Sequence, residues 1–328
     1  MSRDDSAEPI ETEPADSETA VRLATFDQYR GLLFSVAYRM LGSVADAEDM
    51  LQETFLRWQQ ASIEEIRSPR AFLVTIISRL SINHLQSARV AREEYFGEWL
   101  PEPLVTHDGK DPLSLLRMDE TLSMAFLVLL ERLTPVERAV FLLREVFEYE
   151  YAEIASMLGQ SEVNCRQLLR RARQHVRSMR PRFAASRQKQ TELLERFLRA
   201  TGSGDMGGLL DLLSADVVLY ADGGGKGPAV PNAIRGADKV ARGILGGLEK
   251  LVPKRVVRRI VEVNGQAGVA GYLDGKPFSV ITLEGEDDDG AVEGATCGTA
   301  SRTTIRAIYM VTNPEKLSRL PGLVDDVN

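Results

Sequence analysis

From Val21 to Ala91 apolar residues recur at three- and four-residue spacing, the period of amphipathic helices packed on one another. Leu32, Leu33, Val36, Ala37 and Met40 share one face, and Gly42-Ser43 closes that segment. The period resumes from Asp46 to Trp58 through Ala47, Met50, Leu51, Thr54 and Phe55. Ser68-Pro69 predicts another helix start, because proline is tolerated in a first turn whose N–H groups lack intrahelical acceptors. The helix it opens, Arg70 to Ser87, turns Phe72, Leu73, Ile76, Ile77 and Leu80 inward. Between Gly97 and Pro112 the pattern breaks. Pro101, Pro103, Asp108-Gly109 and Pro112 forbid a continuous helix and predict a linker, with Trp99 and Leu100 as sticky members. Helical spacing returns from Leu113 to Leu133, and Thr134-Pro135-Val136-Glu137 has the capping-box pattern.

Beyond about Arg187 the chain changes class. Two amphipathic helices, Gln190–Thr201 and Asp205–Leu213, precede strand-like runs at Val217–Ala221, Arg255–Val263, Val269–Leu273, Phe278–Leu283 and Thr303–Val311, separated by Gly-rich turns. Short helices followed by an antiparallel sheet describe an α+β domain.

Composition alters this picture in three places. The stretch from Met1 to Ala20 carries seven acidic residues and one Arg, which predicts a disordered acidic tail and offers no basic, apolar secretory leader. No run of about 18 apolar residues occurs, so no membrane span or membrane partner is expected. Cys165 and Cys297 stand too far apart in sequence to suggest a disulfide framework or zinc knuckle, and a cytoplasmic protein without metal or cofactor is expected. The net charge of −8 conceals a block from Val163 to Thr191 with nine Lys or Arg and no Asp or Glu. The acidic tail and a Glu284–Asp289 loop supply much of the opposing charge. Local charge is what attracts phosphate.

That basic block opens on a helix-turn-helix pattern. Tyr151 to Leu158 is a short helix stopped by Gly159, and Ser161-Glu162 opens a second running to Arg177. Ile154, Leu158, Val163 and Leu168 are placed to bury the pair, with Ala155 at the crossing. On the second helix Glu162, Asn164, Arg166, Gln167, Arg170, Arg171 and Arg173 form the polar set. Its early members suit base edges, where Arg reads guanine and Asn or Gln reads adenine. Arg170, Arg171 and Arg173 suit phosphate. The pattern alone also fits a helical hairpin with a solvated basic face.

Tyr38-Arg39-Met40-Leu41-Gly42-Ser43-Val44-Ala45-Asp46-Ala47-Glu48-Asp49, followed by Gln52-Glu53-Thr54-Phe55, resembles domain 2 of bacterial sigma factors. Leu133 to Arg138 with the helix-turn-helix resembles sigma domain 4. The two blocks keep the family's order and spacing over residues 21 to 180. The resemblance implies binding to core RNA polymerase, at the β′ clamp and β flap, and to promoter DNA. It implies that Asp49, Gln52, Glu53 and Phe55 face the polymerase, that Arg79, Asn83, His84 and Arg89 read the minus-ten element, and that the recognition helix reads the minus-thirty-five element. Trp99-Leu100-Pro101-Glu102-Pro103-Leu104, Asp222-Gly223-Gly224-Gly225-Lys226 and Asn313-Pro314-Glu315-Lys316-Leu317 resemble extracytoplasmic-function sigma factors with a fused, cone-shaped SnoaL-like domain.

The expected fold is therefore multidomain: a tail to residue 20, all-α sigma domain 2 over 21–95, a linker over 96–112, sigma domain 4 with its helix-turn-helix over 113–186, and an α+β SnoaL-like domain over 187–328. The expected function is promoter-specific initiation controlled in cis by the C-terminal domain. Trp99, Leu100 and Pro101 would dock on a loop of Asp222, Gly223, Gly224, Gly225 and Lys226, with Asn313 and Pro314 beside it, since glycines permit close backbone approach. A Gly-rich turn that merely carries charge also fits that loop. Two other readings stay open. An enzyme would need Asp222 as acid or base without a histidine, because His84, His107 and His175 all precede the extension. A simple helix-turn-helix regulator would bind duplex DNA without polymerase. An unidentified small ligand in the C-terminal domain is a further expected partner.

Overall fold

In the computed structural model the described residues are 14–62, 64, 66–93, 95–106, 122–177, 186–288 and 302–323. Three long helices come first: α1 (Pro14–Leu41), α2 (Val44–Gln60) and α3 (Pro69–Glu93). Helix α1 begins at Pro14, so residues 14–20 are helical where composition predicts a disordered tail. Proline suits the start, and Glu18 receives Arg22 one turn on at 2.7 Å. Residues 1–13 lie outside the described set.

Four more helices follow: α4 (Met124–Leu130), α5 (Pro135–Glu145), α6 (Tyr151–Leu158) and α7 (Glu162–Arg177). The capping box holds α5 at its start. The Glu137 N–H donates to Thr134 Oγ1 at 3.4 Å and the Thr134 N–H to Glu137 Oε2 at 3.2 Å. Gly159 closes α6 in the left-handed conformation, φ 64°. One continuous apolar core runs from Phe26 to Val176, through Leu33, Trp58, Ile77, Phe126, Val140 and Leu169. The two helical units, which their patterns separate at the linker, are thus packed directly on each other. Buried Arg138 of α5 seals the joint, donating to the Met40 carbonyl at the end of α1 and to Glu131 at 2.7 Å.

The C-terminal unit starts with α8 (Arg187–Ser203) and α9 (Met206–Leu210). A sheet then forms from β2 (Leu213–Asp222), β3 (Ile234–Arg235), β4 (Val257–Val263), β5 (Gln266–Leu273), β6 (Lys276–Asp288) and β7 (Arg302–Val311), with α10 (Ala237–Leu251) between β3 and β4. A seventh strand, β1 (Val105–Thr106), comes from the linker and pairs antiparallel with β4, giving the order β1-β4-β5-β6-β7-β2-β3. Three features depart from the pattern-based expectation. Strands β2 and β7 are parallel, because alternation marks a strand's faces but not its partner's direction. Glu284 to Asp288 belong to β6 rather than to a loop, paired with β7 and neutralised at Asp287 by Lys189 at 2.8 Å. Helix α10 is masked in sequence by Gly243, Gly246 and Gly247, which are poor helix formers.

Strand parity sorts the sheet into two faces. Val217, Leu219, Ile308 and Met310 pack toward α8, α9 and α10 and close the cone. The opposite face, with Tyr272, Val280, Tyr309 and Val311, buries Leu100 and Val105 of the linker and Met124 of α4. Asp222 and Asn313 continue this second set, so both face the linker.

Candidate interdomain and nucleic-acid interfaces

Asp222 is fully buried and its carboxylate accepts four hydrogen bonds. Tyr95 Oη donates to Oδ1 at 2.6 Å and the Gly224 N–H to Oδ1 at 3.0 Å. The Leu100 N–H donates to Oδ2 at 2.9 Å, and Lys316 Nζ at 2.6 Å. Lys316 also donates to the Leu100 carbonyl and sits over the Trp99 ring, 4.2 Å from its centroid. It is contributed by α11 (Pro314–Leu317), whose N-cap is Asn313. Asn313 Nδ2 donates to Tyr95 Oη at 2.8 Å. Burial first, and then the Asp222 carboxylate, push the Tyr95 hydroxyl above the usual phenol range, which keeps its proton in place as a donor.

The glycine loop lies against Tyr95 and Phe96. A Cβ on Gly224 (φ 56°) would collide with Asn313 Nδ2 at 2.3 Å and meet Tyr95 Oη at 3.0 Å. Phe96, not Trp99, lies over Gly225. Trp99 is instead wedged against the first helical unit, where a Cβ on Gly42 (φ 66°) would stand 2.8 Å from its Cη2. Lys226 pairs with Glu315 at the exposed rim.

The other end of the linker is tied to both sides. The Glu102 N–H donates to the Gly42 carbonyl at 2.8 Å, and Glu102 Oε2 accepts the Val44 N–H at 2.8 Å. A linker carboxylate thus caps α2, where orphan N–H groups and the helix dipole favour negative charge. Burial raises the Glu102 pKa while those backbone N–H groups oppose the rise. Asn264, fully buried in the β4–β5 turn, exchanges bonds with Leu104: its Oδ1 accepts the Leu104 N–H at 3.0 Å, and its N–H donates to the Leu104 carbonyl at 2.8 Å. Asn264 Nδ2 donates to Tyr38 Oη at 2.7 Å, and that hydroxyl donates to the Glu102 carbonyl at 2.6 Å. Tyr95 and Asn264 are site residues that sequence reasoning did not single out, and Glu102 and Lys316 stood out only as members of motifs that carry the resemblance, with no place in the expected dock. The Asn264-Gly265 pair carries a local signal, as a hairpin turn.

The residues assigned to polymerase lie on α2. Asp49 and Gln52 are exposed, Glu53 is paired with Arg57 at 2.9 Å, and Phe55 is half-buried against Phe26 at 4.9 Å between centroids. On α3, Asn83 is exposed and His84 Nε2 stands 3.5 Å from Asp46. The Arg89 side chain lies outside the described residues. Arg79 is engaged elsewhere: its Nε donates to the Met157 carbonyl at 2.7 Å and its Nη2 to Ser156 at 3.3 Å, at the end of α6.

Recognition helix α7 buries Cys165, Leu168, Leu169 and Ala172 and exposes Arg166, Gln167, Arg170, Arg171 and Arg173. Glu162 pairs with Arg166 at 2.7 Å, Arg173 with Glu145 at 2.7 Å, and Asn164 Nδ2 donates to Gln160. Arg170 is thus presented to solvent beside Arg166 and Arg173. Arg170→Ala is expected to weaken duplex binding evenly across sequences and lower the log–log salt slope by about 1. Titration of a labelled promoter fragment at several salt concentrations checks this, and an unchanged slope removes Arg170 from phosphate contact.

Comparison with known proteins agrees with this architecture. Residues 25–90 match Sigma-70 region 2, and residues 123–176 match Sigma-70, region 4. The chain is 37% identical over 313 residues to the ECF RNA polymerase sigma factor SigJ of Mycobacterium tuberculosis, covering 92% of this chain and 95% of that one. It is 34% identical over 229 residues to a probable ECF sigma factor, SigI, of the same species, covering 68% of this chain and 75% of that one. The crystal structure of M. tuberculosis SigJ superposes with a TM-score of 0.71 at 35% identity, over 90% of this chain and 98% of that one. With a relative this similar along nearly its whole length, the protein belongs to the extracytoplasmic-function family of RNA polymerase sigma factors, which bind core polymerase and direct promoter-specific transcription.

Proposed function

We propose that the C-terminal domain controls this sigma factor in cis by clamping the linker, and that the clamp favours a closed pairing of domains 2 and 4. The observation that carries the reading is the Asp222 carboxylate. Its four donors come from the linker, its own loop and α11, so it ties the C-terminal sheet to the segment joining the two promoter-reading units. A second tie, from Arg319 beyond α11 to Glu48 of α2, lies on the same side. Being fused to its target, the regulator acts at high effective concentration, so modest contacts suffice.

Geometry supplies the reason that closure would restrain initiation. Elements centred at minus ten and minus thirty-five are separated by 25 base pairs, roughly 85 Å along B-form DNA. In the structure Arg79, on the helix assigned to minus-ten reading, touches the first helix of the helix-turn-helix. The closed arrangement cannot span both elements, so domains 2 and 4 must part when the sigma factor engages a promoter. In the open form Asp49, Gln52, Glu53 and Phe55 would contact the β′ clamp, domain 4 would reach the β flap, and α7 would read the upstream element. The same geometry speaks against Asp222 as a catalytic acid or base, since every strong acceptor site on it is occupied.

Dyes at exposed Gln86 and Gln174 test the reading by energy transfer during transcription with core polymerase. The free chain is expected to hold the pair close, and the promoter complex to separate it by several tens of ångströms. A pair that stays close in a complex making run-off transcript overturns closed-state control.

A further inference from the structure

We propose that the C-terminal domain contains a binding site for a small uncharged apolar molecule, about the size of one aromatic ring, and that its occupancy tightens the linker clamp. The first half stands on the cavity alone. The second rests on the clamp proposed above.

Between α10 and the concave face of the sheet lies a cavity of about 100 Å³, walled almost wholly by apolar side chains. Phe197, Ile244, Val269, Ile281 and Met310 face into it. Three hydroxyls line it: Thr201 Oγ1 is spent on the Phe197 carbonyl at 2.8 Å and Thr312 Oγ1 on the Pro228 carbonyl at 3.0 Å, while Ser279, half-buried, adds one polar point to the wall. The one charged lining residue, Arg258, is exposed at the rim, beside Leu251, which is 52% exposed. A charged ligand would find no counter-charge inside. An apolar one gains contacts that an empty void forfeits, as in cavities of about 150 Å³ that stay dry and take up benzene.

Helix α10 makes the void. Gly247 lines it, and a Cβ there would meet no heavy atom within 4 Å. Gly243, which also lines it, would bring a Cβ to 3.0 Å from Ile234 Cδ1. Glycine is among the poorest residues for a helix interior, and alanine at 247 would help both propensity and packing. The sequence keeps the space where a common residue would reduce it.

The cavity also shares a wall with the clamp. Ala221, Pro228 and Thr312 line it, while their neighbours Asp222 and Asn313 face the linker on the opposite side of the sheet. The Thr312 N–H donates to the Asp222 carbonyl at 2.7 Å, and the Gly227 N–H to Gly223 at 2.7 Å. The segment from Asp222 to Pro228 is therefore cavity wall and linker dock together. When the linker leaves, this segment loses its outer contacts and is free to close over the void. A ligand that props the wall outward binds the clamped form better, and so shifts the population toward it.

Toluene is the probe, with the full-length chain, read by methyl NMR at Ile244, Ile281 and Met310 and by amide hydrogen exchange at Leu100. Toluene is expected to shift those methyl signals saturably, while benzoate, of the same ring size but charged, does not. Gly247→Leu should weaken toluene binding by at least about tenfold with no fall in melting temperature, and Gly247→Ala, the safer variant for folding, should weaken it less. Saturating toluene should slow exchange at Leu100 in the wild type but not in Asp222→Ala. Absent shifts, equal binding in Gly247→Leu, or equal binding of benzoate overturns the site. Methyl shifts without any change at Leu100 overturn its link to the clamp. None of these readouts uses transcription, so failure here is separable from failure of cis control.

Discussion

Replacing Asp222 by alanine is expected to free the linker and raise run-off transcription severalfold at limiting core polymerase. All four groups that meet the carboxylate are donors: the Tyr95 hydroxyl, the Leu100 and Gly224 N–H groups and the Lys316 ammonium. An ionised carboxylate is acceptor-only, with about four lone-pair sites, and here each is matched. Removing it leaves Lys316, whose side chain is 13% exposed, without its counter-ion. Breaking one side of such a buried pair costs about 3–5 kcal/mol, and every 1.4 kcal/mol is roughly tenfold in a population. The ratio of clamped to open chain should therefore fall by about a hundredfold to a few thousandfold, of which transcription reads only the part that limits initiation.

Asparagine at 222 is expected to behave much like alanine, because its amide nitrogen would turn a donor toward donors. In Asp222→Ala combined with Lys316→Met, the loss should be smaller than the two single losses added, since the second change removes the stranded charge. Amide exchange at Leu100 gives the clamp readout, and run-off assays give the functional one. Faster exchange with unchanged transcription would separate the clamp from sigma activity. Unchanged exchange would remove Asp222 from the clamp.

What the sequence could not state about this joint has a common physical cause. Helices α1 to α3 and α5 to α7 are legible because their information is local: a 3.6-residue apolar period, a Thr134–Glu137 capping box, a glycine at 159. Asp222, Gly223 to Gly225 and Asn313 stood out through resemblance, and the structure brings them together around the linker. Tyr95 is an ordinary residue in local terms, Glu102 and Lys316 lie in resembling motifs that do not name their partners, and the partners of the three lie 127, 58 and 94 residues away. Strand parity decides which side Asp222 faces, but which strand lies beside β2 is settled only by the folded sheet. Strand β1 is two residues long and exists because β4 offers it an edge. The shared core of domains 2 and 4 is likewise invisible to a periodicity that marks a buried face without naming what covers it.

The second large effect is expected at Asn264, where side chain and backbone contribute separately. Its φ of 53° lies in the left-handed region, which asparagine and glycine enter more readily than alanine. Its side chain holds the Leu104 N–H and the Tyr38 hydroxyl, and burial pushes the Tyr38 pKa up, so that hydroxyl keeps its proton for the Glu102 carbonyl. Asn264→Gly keeps the turn and strands buried polar groups, at about 1–3 kcal/mol. Asn264→Ala adds roughly 1–2 kcal/mol of backbone strain. Asn264→Asp keeps an acceptor for Leu104 but sets a second oxygen against a hydroxyl whose proton is already committed, and buries a charge. The expected order of linker anchoring is therefore Asn, then Gly, with Ala and Asp weakest, read as exchange at the Leu104 amide and as the denaturation midpoint. Tyr38→Phe should be non-additive with Asn264→Gly, because both sever the same hydrogen-bond chain. Additive losses, or Leu104 protection in Asn264→Ala equal to the wild type, would mean that the linker is held at the Asp222 end alone.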